Sequence, residues 1–450
     1  MYFARRRMAK LAAILFRLTL RELPDIEPPT VKTPHTILML PRVIFTEDVA
    51  ATFGGTGQFR VLRPFGGAMK SLASGILPPL THTNFYAVDD PELNTGKQAY
   101  REFLTQMWTT LQSTIQIDAV VTGNFSYWAE RELGTALESL GVPFIAMHKE
   151  SMKTPGLVDF IGKLYRERRG LFTGRRIVVY SEGERQLQID SGVVEPERIS
   201  VGGMPRLDRL HEWRRSTTCL PETNDGRPQV LLFSFIPKGV LPRIVRRAHN
   251  SAGAWEEELD EDFAKLSWQQ LATSTHSAIS RLARENPELD VVVKSKEATR
   301  ERTGTFQMLQ DKVGLPTNLK IVVGDDPYEL IKASDVVCGF NTTALLEAIC
   351  AGIPVVIPLF AEAIEERMKP YVIHMGDAVE YATSPDDLVD KLRTAALARR
   401  TLNADLHDAS IRALDKWVGN SDGRAGERVR NIIRSEIEHS DRQQARPANG

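Results

Sequence analysis

The stretch Asp335–Val336–Val337–Cys338–Gly339–Phe340–Asn341–Thr342–Thr343–Ala344–Leu345–Leu346–Glu347–Ala348 carries more chemistry than any other part of this chain. Its apolar run reads as a buried strand, Gly339 permits a tight turn, and the pattern after it is helical. Asn341 is a good helix N-cap. Thr342 and Thr343 put two hydroxyls beside backbone N–H groups at a helix start, which suits a phosphate without any lysine. Glu347 follows Thr343 by one turn on the same face, where a carboxylate can accept hydrogen bonds from ribose or sugar hydroxyls. Gly352 ends the helix and Pro354 opens the next strand. A plainer reading makes Asn341 and Thr343 simple caps and Glu347 a solvated surface residue.

More candidates sit at the ends of apolar runs. Val291–Val292–Val293–Lys294–Ser295–Lys296 is a strand emerging into two lysines, fit to meet phosphate oxygens. Lys238, after the strand Gln229–Phe235, is a similar candidate. Asp326 caps a helix whose first residue is Pro327, with Glu329 completing a capping box. Ala146–Met147–His148–Lys149–Glu150 ends a strand in ionisable groups, and His148 or Glu150 there can take a proton from an attacking hydroxyl. Asp89 and Asp90 are further carboxylates that could do the same. Gly202 and Gly203 allow backbone to approach a ligand closely, while Arg206 and Asp208 either serve the cleft or pair with each other. Gly54–Gly55–Thr56–Gly57 and Gly66–Gly67 are glycine loops, but no G-x-G-x-x-G string is present, so no dinucleotide site is expected.

Strands and helices must alternate to position these groups. Strands are expected at Thr36–Leu40, Asn84–Val88, Ile117–Val121, Pro143–Met147 and Ile177–Tyr180. The intervening helices are Gln98–Gln112, Tyr127–Leu140, Leu157–Arg168 and Glu182–Ser191. After an irregular stretch, strands recur at Gln229–Phe235, Asp290–Lys294, Leu319–Val323, Asp335–Cys338 and Pro354–Ile357. A long helix is expected to start in the acidic stretch Trp255–Asp262 and run to Glu285. The division is then a basic amphipathic segment (1–30), a first Rossmann-like lobe (31–215) and a linker (216–228). A second Rossmann-like lobe (229–400), C-terminal helices (401–438) and a disordered tail (439–450) follow. Two such α/β lobes face each other across a cleft at the carboxyl ends of their strands, and that cleft is the default active site.

Length and charge agree with this division. A chain of 450 residues exceeds one compact core, and its net charge of −1 gives no global field for nucleic acid. Cys219, Cys338 and Cys350 show neither a zinc nor a redox spacing, which suits a reducing cytoplasm. No apolar run is long enough to span a bilayer. At the N-terminus Arg5, Arg6, Arg7, Lys10, Arg17 and Arg21 stand against Glu22, with Leu11, Ile14, Leu15 and Leu18 at helical spacing. Arg17 interrupts the apolar stretch and no cleavage site follows, which argues against a signal peptide. Two readings stand equal: a helix in peripheral contact with an anionic membrane through residues 1–21, at the inner face of the cytoplasmic membrane, and a helix docked on its own lobe.

The string Asp335, Asn341, Thr342, Thr343, Glu347, Ala348, Gly352, Pro354 and Val355 resembles the D-v-v-x-x-x-S/T-T-x-x-x-E-A-x-x-x-G-x-P-V pattern of GT-B glycosyltransferases. Their relatives, the non-hydrolysing sugar-nucleotide 2-epimerases and polyol-phosphate transferases, share it. Gly203–Met204–Pro205–Arg206–Leu207–Asp208 resembles the G-x-P-R-x-D passage ending the first lobe of bacterial surface-polysaccharide transferases. The resemblance covers about residues 115–375. It implies a glycosyltransferase moving a sugar from a nucleotide donor to a surface polysaccharide or glycolipid. A CMP-activated acidic sugar such as Kdo is the first expectation for the donor, and a UDP-sugar the second. It implies donor contacts from Asn341 to Thr343, Glu347, Lys294, Lys296 and the loop at Asp326. It also implies acceptor chemistry from the first lobe, with no metal, no cofactor and no nucleic-acid partner. The Lys-x-His-Pro of capsule-polymer and polyol-phosphate transferases is missing after Lys294, which disfavours that activity. The same resemblance is compatible with a sugar-nucleotide epimerase and with an inactive binding protein on this fold.

Overall fold

The computed structural model describes residues 8–42, 45–79, 81, 85–150, 152–217, 226–247, 255–258, 261–296, 299–310, 314–398 and 404–445. In the first lobe the strands are β1 (Arg21–Glu22), β2 (His35–Met39), β3 (Phe59–Arg63), β4 (Ala119–Thr122), β5 (Phe144–His148), β6 (Arg176–Val179) and β7 (Ile199–Val201). They lie in the order β1-β3-β2-β4-β5-β6-β7, parallel except for β1 on β3. Alternate residues of these strands enter two cores. Leu38, Val120, Phe144 and Ile177 pack on one face of the sheet, and Ile37, Val121, Ile145 and Val178 on the other. A sheet buried on both faces needs helices on both, which is why its strands read as continuous apolar runs.

The second lobe repeats the plan. After β8 (Gln229–Phe233), the hairpin strands β9 (Ile244–Arg247) and β10 (Trp255–Glu258) stand apart. Strands β11 (Asp290–Ser295), β12 (Leu319–Val323), β13 (Val336–Cys338), β14 (Val355–Pro358) and β15 (Glu380–Ala382) then complete an all-parallel sheet ordered β12-β11-β8-β13-β14-β15. In each sheet the chain leaves the starting strand to one side and returns on the other. The crevices therefore open between β2 and β4 and between β8 and β13, where ligands of such sheets bind.

The last described helix belongs to the first lobe. Helix Ala425–Ala445 returns to it and buries Val429, Ile433 and Ile437, one residue per turn, against Ile37, Val49 and Val178. Each such burial is worth about 1.5–3 kcal/mol. The disordered tail expected over 439–450 is corrected for its first seven residues: the helix continues to Ala445, with the Ser440 hydroxyl bonded to the Gly141 carbonyl, and residues 446–450 lie outside the described residues. Tertiary contact decides the matter there, against a polar local sequence.

Two other expectations change. Trp255–Glu258 is a strand paired antiparallel with Ile244–Arg247, not the start of a long helix. A short helix, Glu261–Ala264, follows, and the long helix spans Gln269–Glu285. A local acidic pattern suited a helix start, but a hairpin partner supplies the backbone bonds instead. Of the strand expected at Asn84–Val88, residues 85–88 form a turn and Asn84 lies outside the described residues. Most of the expected linker, residues 218–225, also lies outside them.

Candidate functional site

The cleft between the lobes has a volume of about 1020 Å³ and draws its walls from both sheets. On the second lobe, β11 delivers Lys294 and, one residue past its end, Lys296. The turn after β13 delivers Asn341, Thr342, Thr343 and Glu347. On the first lobe, the end of β5 delivers His148 and Glu150, and the helix Phe45–Phe53 delivers Glu47. Residues expected at the site from their types and spacing, nearly 200 positions apart in the chain, therefore share one cavity.

His148 is closed from solvent, at 1% exposure, and its Nε2 lies 3.1 Å from Glu184 Oε1. Glu184 also receives Lys153 at 2.7 Å, Gln188 at 2.8 Å and the Tyr165 hydroxyl at 3.2 Å. Burial alone pushes this carboxyl up, but Lys153, His148 and Gln188 together outweigh burial and hold it at about 2. An ionised Glu184 facing Nε2 favours the tautomer with its proton there, leaving the Nδ1 lone pair as a proton acceptor. Both ring nitrogens of His148 are buried and neither completes a hydrogen bond among the described residues, so Nε2 faces Glu184 as a charge contact. Glu150 is exposed at the cleft mouth, where its own carbonyl accepts from Lys153.

Glu347 is buried and lies 3.8 Å from Arg206 Nε. Burial raises its carboxyl above the ordinary range, with Arg206 pulling against that rise. Arg206 holds Asp48 at 3.0 Å and donates to the Tyr180 hydroxyl at 2.8 Å, and Tyr180 in turn donates to Asp48. Arg206 and Asp208 do not pair with each other. Asp208 accepts from Asn420 at 2.7 Å, Gly426 at 2.8 Å and Ala425 at 3.1 Å, and so caps the C-terminal helix.

Several expected roles shift. Asn341 does not cap the helix, which begins at Ala344. It adopts a left-handed φ of 49° and clamps a neighbouring segment, donating to the Tyr371 carbonyl at 2.7 Å and accepting from Ile373 N at 2.9 Å. Thr342 Oγ1 takes the local bond instead, from Ala344 N at 3.4 Å. Lys238 reaches the carbonyls of Ala264 at 2.8 Å and Leu266 at 2.6 Å rather than the cleft. Gly203 is a close-approach glycine, but its neighbour is backbone: a Cβ there would lie 2.3 Å from the Gly419 carbonyl oxygen. Asp326 caps its helix by accepting from Tyr328 N at 2.9 Å, while Glu329 pairs with Lys332 at 2.6 Å instead of completing the box. Pro327 and Tyr328, not Asp326, reach the cleft.

Glu47, Glu184 and Tyr328 were not singled out from the sequence. Burial raises the Glu47 carboxyl, against the pull of Arg209 and Arg206. Its signal was available: an acid in the first turn of the helix after β2, the first of the parallel strands, faces the carboxyl edge of the sheet. Tyr328 is buried against the cleft, and its hydroxyl has no partner among the described residues. Arg209 stacks on its ring at 3.5 Å from the centroid and reaches Glu47 at 3.2 Å. A smaller pocket of about 100 Å³ adjoins the cleft between Phe235, Trp268, Phe340 and the hydroxyls of Ser234, Ser295 and Thr305.

No family model matches the sequence, and no curated protein does. Solved structures do match by shape. One, assigned as a UDP-N-acetylglucosamine 2-epimerase from Listeria monocytogenes, aligns with a TM-score of 0.51 at 10% identity, over 91% of this chain and 98% of that one. A UDP-forming trehalose-phosphate synthase from Burkholderia xenovorans aligns at 0.48 and 11% identity, over 91% and 100% of the two chains. MurG from Acinetobacter baumannii aligns at 0.43 and 13%, over 90% and 100%. At these identities the likeness is one of fold. This protein has the GT-B fold, two Rossmann-like lobes facing each other across a cleft.

Proposed function

We propose that this protein is a glycosyltransferase that moves a sugar from a nucleotide donor to a surface polysaccharide or glycolipid, with no metal ion. The observation that supports it most is the division of the cleft. Cations and hydroxyls (Lys294, Lys296, Thr342, Thr343) come from one lobe, and a partnered histidine, His148, comes from the other. In this reading Lys294 and Lys296 neutralise the charge that develops on the departing nucleotide phosphate. Glu347 and Tyr328 accept from and donate to the donor's hydroxyls. His148, held by Glu184, takes the proton of the attacking acceptor hydroxyl, and the bond from the anomeric carbon to phosphate oxygen breaks as the new glycosidic bond forms. Lys149 and Arg169 add positive charge on the first lobe, while Lys153 is balanced by Glu184 at 2.7 Å. That suits a donor with an acidic sugar, CMP-activated and Kdo-like, ahead of a neutral UDP-sugar.

Glu47 and Glu347 favour a second reading. These carboxyls sit on opposite lobes and burial raises both, as a proton-abstracting epimerase requires. Mass spectrometry of nucleotide sugars incubated with the protein in deuterated water separates the two. The transferase reading expects nucleotide release that depends on a glycan acceptor. Deuterium entering an intact donor establishes the epimerase instead. No turnover of CMP-, UDP- or GDP-sugars with any acceptor defeats both.

A further inference from the structure

We propose that the helix Ala9–Thr19 docks this protein on an anionic lipid bilayer, lying in the plane of the interface. Its two faces are reversed in size. The small side chains Ala9, Ala12 and Ala13, with Phe16, are the ones buried, in the core shared with the long helix Pro91–Gln112. The large apolar side chains Leu11, Ile14, Leu15 and Leu18 point outward, with Ile14 51% and Leu18 66% exposed. A helix that served only to cover its own lobe would put its large apolar residues inward. Here the lobe uses one stripe and leaves a second unpartnered. At 100° per residue the outward stripe, with Met8, spans an arc of about 120°.

Charge identifies what covers it. Lys10 and Arg17 fall on one rim of the stripe, and Arg21 follows at the helix end, where it donates to the Leu18 and Leu20 carbonyls. No acid occurs from Ala9 to Arg21. Long basic side chains beside an apolar stripe let the stripe enter acyl chains while the cations stay among lipid phosphates. A second copy of the same face is the poorer occupant, because two identical helices bring like charges together. The helix has 11 residues, too short to cross a bilayer core of about 30 Å, and among the described residues no helix is long and apolar enough to do so. The docking is therefore peripheral. It does not rest on the transferase reading, and its test uses no activity.

The experiment is co-sedimentation of the full chain with sucrose-loaded vesicles of phosphatidylcholine, with and without phosphatidylglycerol. The protein is expected to pellet with the anionic vesicles only, and less in high salt. Leu15→Glu with Leu18→Glu is expected to weaken binding at least about tenfold without lowering the melting temperature, since both side chains are exposed. Arg17→Ala keeps the fold and weakens binding to a smaller degree. Wild-type protein that stays in the supernatant with anionic vesicles overturns the proposal. So does a double variant that pellets like wild type, or a wild-type dimer in light scattering that the double variant converts to monomer.

Discussion

Arg206 Nε lies 3.8 Å from Glu347 Oε1 while the same guanidinium holds Asp48 at 3.0 Å, so one cation joins a helix of each lobe at the back of the cleft. Desolvated charges of this kind are costly when their partner is lost. Arg206→Met is expected to destabilise the protein by about 3–5 kcal/mol in urea unfolding, because it strands Asp48 as well as Glu347. A loss below about 1 kcal/mol would show that the guanidinium is not the joint between them.

Gly203 and Gly419 meet where the chain crosses between lobes. Gly203 has φ +83°, and a Cβ on it would lie 2.3 Å from the Gly419 oxygen, which cannot move like a side chain tip. Gly203→Ala is expected to lower stability by at least about 2 kcal/mol, combining left-handed strain with the clash. The exposed Gly192, with φ +65° and nothing within 4 Å, is the control: its alanine variant carries only the backbone contribution.

His148 and Glu184 supply the chemistry of the proposed transfer. His148→Gln is expected to reduce turnover about 10²- to 10⁴-fold while nucleotide affinity stays within about twofold. Glu184→Gln should also reduce turnover, by less, and shift the acid limb of the pH–rate profile. Equal losses of binding and turnover in His148→Gln would assign the histidine to structure instead.

Acid should destabilise the fold in two stages. Burial lowers His211 and His276 from 6.5 to about 4, so the unfolded chain takes up their protons first. Their stabilisation is complete above pH 6.5 and is lost as pH falls toward 4. Glu184, lowered from 4.5 to about 2, stabilises above pH 4.5 and loses that contribution as pH falls toward 2. Urea midpoints across this range test it. The raised carboxyls of Glu47, Glu130, Glu138, Asp208 and Glu347 act in the opposite direction over part of this window, so the histidine contribution is read as the difference between wild type and His276→Gln, and a difference that stays constant from pH 6.5 to 4.5 would contradict the assignment.

Much of the scaffold was legible because buried parallel strands are continuous apolar runs. Leu319–Val323 was read with its observed bounds, and Gln229, Asp290 and the strand ends carrying His148 and Lys294 lay within a residue or two. Strand β3, Phe59–Arg63, was not read, because its arginines interrupt the run. The motif around Arg206 and Asp208 was visible, but its work was not. Asp208 caps a helix more than 200 residues later, and Gly203 makes room for Gly419, neither of which local spacing can encode. The N-terminal helix was legible as amphipathic, yet only its packing reveals that the alanine face turns inward. Glu184 and Tyr328 likewise acquire their surroundings from distant chain.

Nucleotide binding in the cleft through Lys294, Lys296 and Thr343 underlies every step proposed for this protein, and isothermal titration calorimetry with CMP, UDP and GDP tests it most directly. At least one nucleotide is expected to bind at micromolar to millimolar concentration. Lys294→Ala with Lys296→Ala should weaken that binding about tenfold or more, and Thr343→Ala less, with the melting temperature unchanged because the lysines stand at an open strand end. Binding by none of the three, or binding indifferent to these substitutions, would contradict the proposed site.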